Sequence, residues 1–201
     1  MIKKPKLQMT SIMKHFRFLI VALFLLSIYG CSSSFTYSDF IITQRTRDIR
    51  RVGVLPFMNE SKRIGAGNIV TNIFIAIIHK TGIFQVEEQG NINQFLDRNR
   101  INDIKIMDTK QIESLGEMLD LDAVFIGTVK EFEGGDQGAR LSSPVISLQI
   151  RLVETRSGKI IWMKNNRITG EDFITVFDKG RVRSVSTLAK IALIDAIDAM
   201  F

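Results

Sequence analysis

The order of apolar and polar positions divides the chain into elements. From Arg51 to Phe57, RVGVLPF is a short and almost continuous apolar run, the pattern of a strand buried on both faces of a sheet, and Pro56 ends it. In GAGNIVTNIFIAIIHKTG, residues Val70, Ile73, Phe74, Ile77 and Ile78 recur at helical spacing, and Gly82 is a natural stop. A short strand is expected over 83–88 (IFQVEE), followed by a helix across NINQFLDRN. Asp108, with Gln111 three residues later, opens a helix whose inner face is Ile112, Leu115, Gly116 and Leu119. Ala123 to Val129, AVFIGTV, is a second uninterrupted strand, suited to the centre of a sheet.

From Val145 the period changes. Ile146, Leu148, Ile150 and Leu152 alternate with Ser147, Gln149 and Arg151, which predicts a strand with one solvated face. Its hairpin partner is KIIWMKNNRI, joined through Thr155-Arg156-Ser157-Gly158. A last helix is expected from about Val182 to Met200, with Val185, Leu188, Ala189, Ala192, Ala196 and Met200 facing the core. On its other side Ile191, Ile194 and Ile197 stand among Lys190, Asp195 and Asp198. Such a second stripe is covered either by another part of the chain, such as residues 35–45, or by a partner or second copy.

The N-terminal segment follows a different logic. A cationic stretch to Arg17 precedes an apolar stretch of 11 residues, Phe18 to Ile28, and then small residues, the layout of a secretory signal. A bilayer-spanning helix needs about 20 residues, so this stretch is too short to be one. Ile28-Tyr29-Gly30-Cys31 has the form of a lipobox, in which Gly30 fits the signal-peptidase pocket and the Cys31 thiol receives diacylglyceryl. Cys31 is the single cysteine of the 201 residues. Two or three acyl chains hold a protein stably on a membrane where one does not. The expected organisation is a signal peptide over 1–30, a lipid-anchored tether over 31–50 and one domain over 51–201.

Charge then loses its first meaning. The formal net charge is +6, which invites a nucleic-acid reading. Five of the 27 Lys and Arg residues (Lys3, Lys4, Lys6, Lys14, Arg17) belong to the signal segment, and the remaining 22 nearly balance 21 acids. No nucleic-acid partner is expected.

Little conventional catalytic chemistry can be assembled. Beyond the signal segment the chain has one histidine, His79, and one thiol, which the lipid consumes; neither a His/Cys metal cluster nor a Ser-His-Asp set results. His79 falls near a helix end and is expected to cap carbonyls or meet solvent. Gly65-Ala66-Gly67 opens a helix, but Val70 stands where a dinucleotide fingerprint has its third glycine, so a flexible helix entry is expected. Glu87-Glu88, and Glu131 with Glu133 and Asp136, are carboxylate groupings that could serve an acid/base site, or simply solvated strand ends and loop. Trp162 is expected in the core. Neither a cofactor nor a metal is called for.

Taken in order, RVGVLPF, KTGIFQVEEQGNINQFLDRNR, LGEMLDLDAVFIGTVKEFE and ISLQIRLVETRSGKIIW resemble the successive blocks of CsgG-type periplasmic lipoproteins, over about residues 51–168. The resemblance implies a single α/β domain of the anticodon-binding-like type, a mixed sheet flanked by helices. It also implies a role in envelope biogenesis or secretion, as in the curli secretion channel, or in activating a peptidoglycan synthase, as in LpoB-like proteins. Ser32, where an aspartate would favour inner-membrane retention in such lipoproteins, implies an outer-membrane anchor with the domain facing the periplasm.

Two membrane hairpins need four strands of about 9–11 residues. The loop after Lys130 has 14 residues and the 98–108 segment no more, so neither has room for one. The reading is a non-enzymatic, anchored binding or assembly component, with envelope or secretion proteins and further copies of itself as partners. An LpoB-like activator and an enzyme with a carboxylate site are the alternatives.

Overall fold

A computed structural model describes residues 40–41 (backbone), 48–134, 143–174 and 180–201. Gly30, Cys31 and Asp136 lie outside the described residues. Seven strands form one mixed sheet: β1 (Phe40–Ile41), β2 (Arg51–Val54), β3 (Met58–Asn59), β4 (Gln85–Val86), β5 (Ala123–Glu133), β6 (Val145–Glu154) and β7 (Ile160–Thr169). The order across it is β1-β7-β6-β5-β2-β4, with β3 also paired to β5. β2 runs parallel to β4 and β5, whereas β5, β6, β7 and β1 are successively antiparallel. The sheet thus begins inside the stretch read as tether, because Phe40 and Ile41 pair with Met163 and Trp162.

Among the described residues, four helices cover the two faces. α1 (Ala66–Thr81) and α4 (Val185–Asp198) pack on one, with Val54, Phe125, Leu148, Ile150 and Trp162 beneath them. α2 (Gln89–Arg98) and α3 (Thr109–Leu119) cover Leu55, Val124, Ile126 and Val153 on the other. This explains the two apolar runs, since β2 and the first half of β5 have helices on both sides and cannot alternate. β6 lies beyond α2 and α3, so Ser147, Gln149 and Arg151 are half-exposed as their alternation requires.

The helix boundaries are set by local chemistry. α1 starts after Gly65 (φ 77°) and stops at Gly82 (φ 66°), both left-handed positions that cost glycine nothing. The α3 start is a complete capping box: the Gln111 N–H donates to Asp108 Oδ1 (2.8 Å) and the Asp108 N–H to Gln111 Oε1 (3.0 Å).

Several expected limits shift. Within RVGVLPF only Arg51–Val54 is strand, β3 follows just past it at Met58–Asn59, and the 83–88 strand contracts to Gln85–Val86. β5 runs on to Glu133, past a bulge between Val129 and Glu131. The 98–108 segment contains a 3-10 turn, Ile104–Ile106, and packs Ile101, Ile104 and Met107 against the second core. Among the described residues no helix is long and apolar enough to cross a membrane.

Candidate functional site

The entry to β2 is held by one carboxylate. Asp122 Oδ2 accepts the backbone N–H of Arg50 and of Arg51, both at 2.9 Å. Partial burial pushes the Asp122 carboxyl up, but the two N–H donors, with the charges of Arg156 and Arg51, outweigh it and hold the group below its ordinary range. The Arg51 guanidinium spans the same corner, donating to Glu87 Oε2 (3.1 Å) and the Leu119 carbonyl (3.2 Å) and lying 3.5 Å from Asp120 Oδ2. Strand entry, helix end and the start of β5 are therefore tied together.

Beside this corner is a cleft of about 210 Å³, lined by Glu113, Gly116, Glu117, Asp120, Leu121, Asp122, Thr155 and Arg156. Its floor is backbone and short side chains. The buried Thr155 hydroxyl lies 2.5 Å from the Leu121 carbonyl and 2.9 Å from that of Asp122, and a Cβ on Gly116 would fall 2.4 Å from Thr155 Cβ. Its rim is exposed Glu113, Glu117 and Asp120, opposed by Arg156. By charge such a rim suits a cationic group. Asp122 is committed to two backbone donors and the Thr155 hydroxyl to the Leu121 and Asp122 carbonyls.

Among the described residues, members of the two carboxylate groupings have separate local partners. Glu87 is engaged by Arg51 and by Asn91 (2.6 Å), and Glu88 is the N-cap residue of α2, where a negative charge favours the helix. Glu131 meets Arg167 at 3.1 Å on the β5–β7 side. His79 is exposed in the last turn of α1, whose His79 carbonyl accepts the Gly82 N–H. Ala66 and Gly67 are buried at the α1 start, where a Cβ on Gly67 would lie 2.2 Å from the Phe57 carbonyl oxygen; this glycine serves close packing. Trp162 is 1% exposed and belongs to the core.

The isoleucine stripe of α4 divides. Ile197 is only 3% exposed and joins the core, a correction to the outward-facing expectation. α4 packs on the sheet and alongside α1, so it buries Val185, Leu188, Ala189, Ala192, Leu193, Ala196 and Ile197, a wider arc than a helix with one neighbour needs. Ile191 is half-buried, and Ile194, at 38%, is the exposed member. On the sheet-facing side the Asn166 amide donates to the Ala192 carbonyl (3.2 Å) and Asp195 Oδ2 (3.0 Å), and Lys164 lies 3.5 Å from the same carboxylate.

The cleft was not foreseen from sequence. Its members come from Glu113–Asp122 and from the β6–β7 turn, joined by the β5–β6 register that sets Ala123 opposite Glu154 and by the bonds of Thr155 to Leu121 and Asp122. The single local signal was Asp120-Leu121-Asp122 at a helix-to-strand junction, and Asp120 there has φ 54°.

No family model matches the sequence, and no curated protein matches it significantly. Among solved structures the chain is similar to the lipoprotein GNA1162 from Neisseria meningitidis, with 21% identity, 75% of this chain and 97% of that one covered, and a TM-score of 0.54. It is similar also to the PelC dodecamer from Paraburkholderia phytofirmans, with 17% identity over 75% and 86% of the two chains and a TM-score of 0.53. At these identities the likeness is one of fold. It agrees with the single mixed α/β domain that the sequence implied.

Proposed function

We propose that the chain is an outer-membrane lipoprotein, cleaved after Gly30 and acylated on Cys31, whose periplasm-facing domain acts as a non-enzymatic binding and assembly component of envelope biogenesis or secretion, of the CsgG-like kind. The observation that carries this reading is a lipobox, Ile28-Tyr29-Gly30-Cys31, placed ahead of a domain similar in fold to a solved lipoprotein. The lipid confines the domain to a surface and raises its effective concentration for partners held there.

The work of such a domain is contact. Of the carboxylates singled out above, Glu87 is engaged by Arg51 and Glu131 by Arg167, and those of the cleft rim are exposed, which supports a surface that binds. Self-association through Ile191 and Ile194 of α4 belongs to the same reading, and the dodecamer formed by PelC on this fold supports it.

Crosslinking of intact envelopes and recovery of the tagged chain tests the function. Copies of the chain together with export or assembly proteins are expected. Recovery of a peptidoglycan synthase instead would favour the LpoB-like activator, and hydrolysis of a substrate panel by the purified chain would favour an enzyme.

A further inference from the structure

Among the described residues, the two most exposed large apolar side chains are Ile64, at 96%, and Ile106, at 77%. Neither has a packing role, and each directly follows a basic residue, in Lys62-Arg63-Ile64 and Lys105-Ile106. The fold brings the two segments together. Lys105 Nζ lies 2.8 Å from Glu60 Oε1, joining the Ile104–Ile106 turn to the loop after β3. That loop is itself closed, since the Asn59 amide donates to the Arg63 carbonyl (2.7 Å) and the Ser61 N–H to Asn59 Oδ1 (3.1 Å). Ile64 is thus held out from a fixed turn.

The surroundings are basic. The Glu60 carboxyl is held below its ordinary range first by the hydrogen bond and charge of Lys105, and the charge of Lys130 reaches it as well. Lys62 is exposed in the same loop, and the Arg63 guanidinium lies 5.3 Å over the Phe132 ring. Among the described residues, Lys62, Arg63, Lys105 and Lys130 outnumber Glu60 and Asp103 in the two segments and at the strand position facing them, while further along β5 Glu131 is paired with Arg167 and Glu133 is exposed. Single exposed apolar residues are ordinary, but a basic rim around apolar tips is the composition of a surface that seats in an anionic lipid interface.

Chain length permits it. From Cys31 to Phe40 the chain can reach about 30 Å when extended. β1 and β5 are three strand spacings apart, about 14 Å, and Lys130 lies about 13 Å along β5 from Ile126, the residue level with the β1 pairing. We infer that the Lys62–Ile64 loop and the Lys105–Ile106 turn form a second, peripheral membrane contact, seating Ile64 and Ile106 in an anionic phospholipid surface. This rests on the anchored-lipoprotein reading and adds an orientation: the end of the sheet where β3 and β5 finish faces the membrane, and the β6–β7 turn points away.

The test uses the lone cysteine. The lipidated full chain, carrying Ile64→Cys, Ile106→Cys or, as a control at the opposite end, Lys159→Cys, is labelled with an environment-sensitive fluorophore. It is then reconstituted on vesicles of phosphatidylcholine with or without phosphatidylglycerol. A several-fold rise in emission, with quenching by doxyl-labelled lipid, is expected at 64 and 106 only with phosphatidylglycerol. It should vanish in 1 M salt and in a Lys62→Glu, Lys130→Glu background, and the probe at 159 should stay solvated throughout. Equal emission at all three sites, or quenching at 64 and 106 that ignores phosphatidylglycerol, would overturn the inference. Labelling of the unsubstituted chain would show instead that Cys31 is free and the anchor reading wrong. The two probes are then read in a Cys31→Ser background on vesicles collected by flotation, with the same criteria.

Discussion

Asp122 holds the backbone N–H of Arg51 at 2.9 Å, and through the same oxygen that of Arg50, so one carboxylate at the head of β5 fixes where β2 begins. The arrangement ties strand alignment to a titratable group. Because the Asp122 carboxyl lies below its ordinary value of 3.8 in the folded chain, its stabilisation is complete above the unfolded value and is lost as pH falls through the folded one. Asp122→Ala should cost about 1–3 kcal/mol in urea unfolding at pH 7. The difference between wild type and variant should be flat above about pH 5 and shrink below about pH 4. A difference that grows on acidification would reject the role.

Trp162 supplies the readout. It is the single tryptophan of the chain and is buried, so its emission should be blue-shifted and shielded from acrylamide until unfolding.

Two helical glycines should respond in opposite directions to alanine. A Cβ on Gly67 would meet the Phe57 carbonyl oxygen, which is backbone and cannot rotate away, so Gly67→Ala should destabilise by about 1–3 kcal/mol despite the better helix propensity. A Cβ on Gly90 meets nothing within 4 Å, and Gly90→Ala in α2 should stabilise by about 0.5–1 kcal/mol. Urea midpoints followed at Trp162 check both.

Within α4 the isoleucines should separate by phenotype. Ile197→Lys places a charge in the core and should unfold the domain or cost more than about 3 kcal/mol. Ile194→Lys should leave the fold intact and, under the proposed self-association, shift sedimentation toward the monomer. Unchanged sedimentation of a folded Ile194→Lys chain would remove α4 from the interface.

What was legible in the sequence follows from range. The α3 start could be read because Asp108 and Gln111 are three residues apart and satisfy each other's backbone. The β6–β7 hairpin could be read because alternation and turn residues are local. β1 and β3 could not, since two-residue strands carry no period and exist only through pairing with β7 and β5. Ile197 was misread for a related reason: a wheel shows one face, while α1 beside α4 widens the buried arc. The Asp122 corner and its cleft depend on contacts spanning dozens of residues, which no spacing rule encodes.

The central claim is the anchor at Cys31, and intact mass of the chain recovered from envelopes tests it most directly. The account predicts a chain beginning at Cys31 and carrying two or three acyl chains in the outer-membrane fraction, with the unprocessed form accumulating under globomycin or in Cys31→Ala. A mature mass without acyl chains, unchanged in amount and location by either treatment, would contradict it.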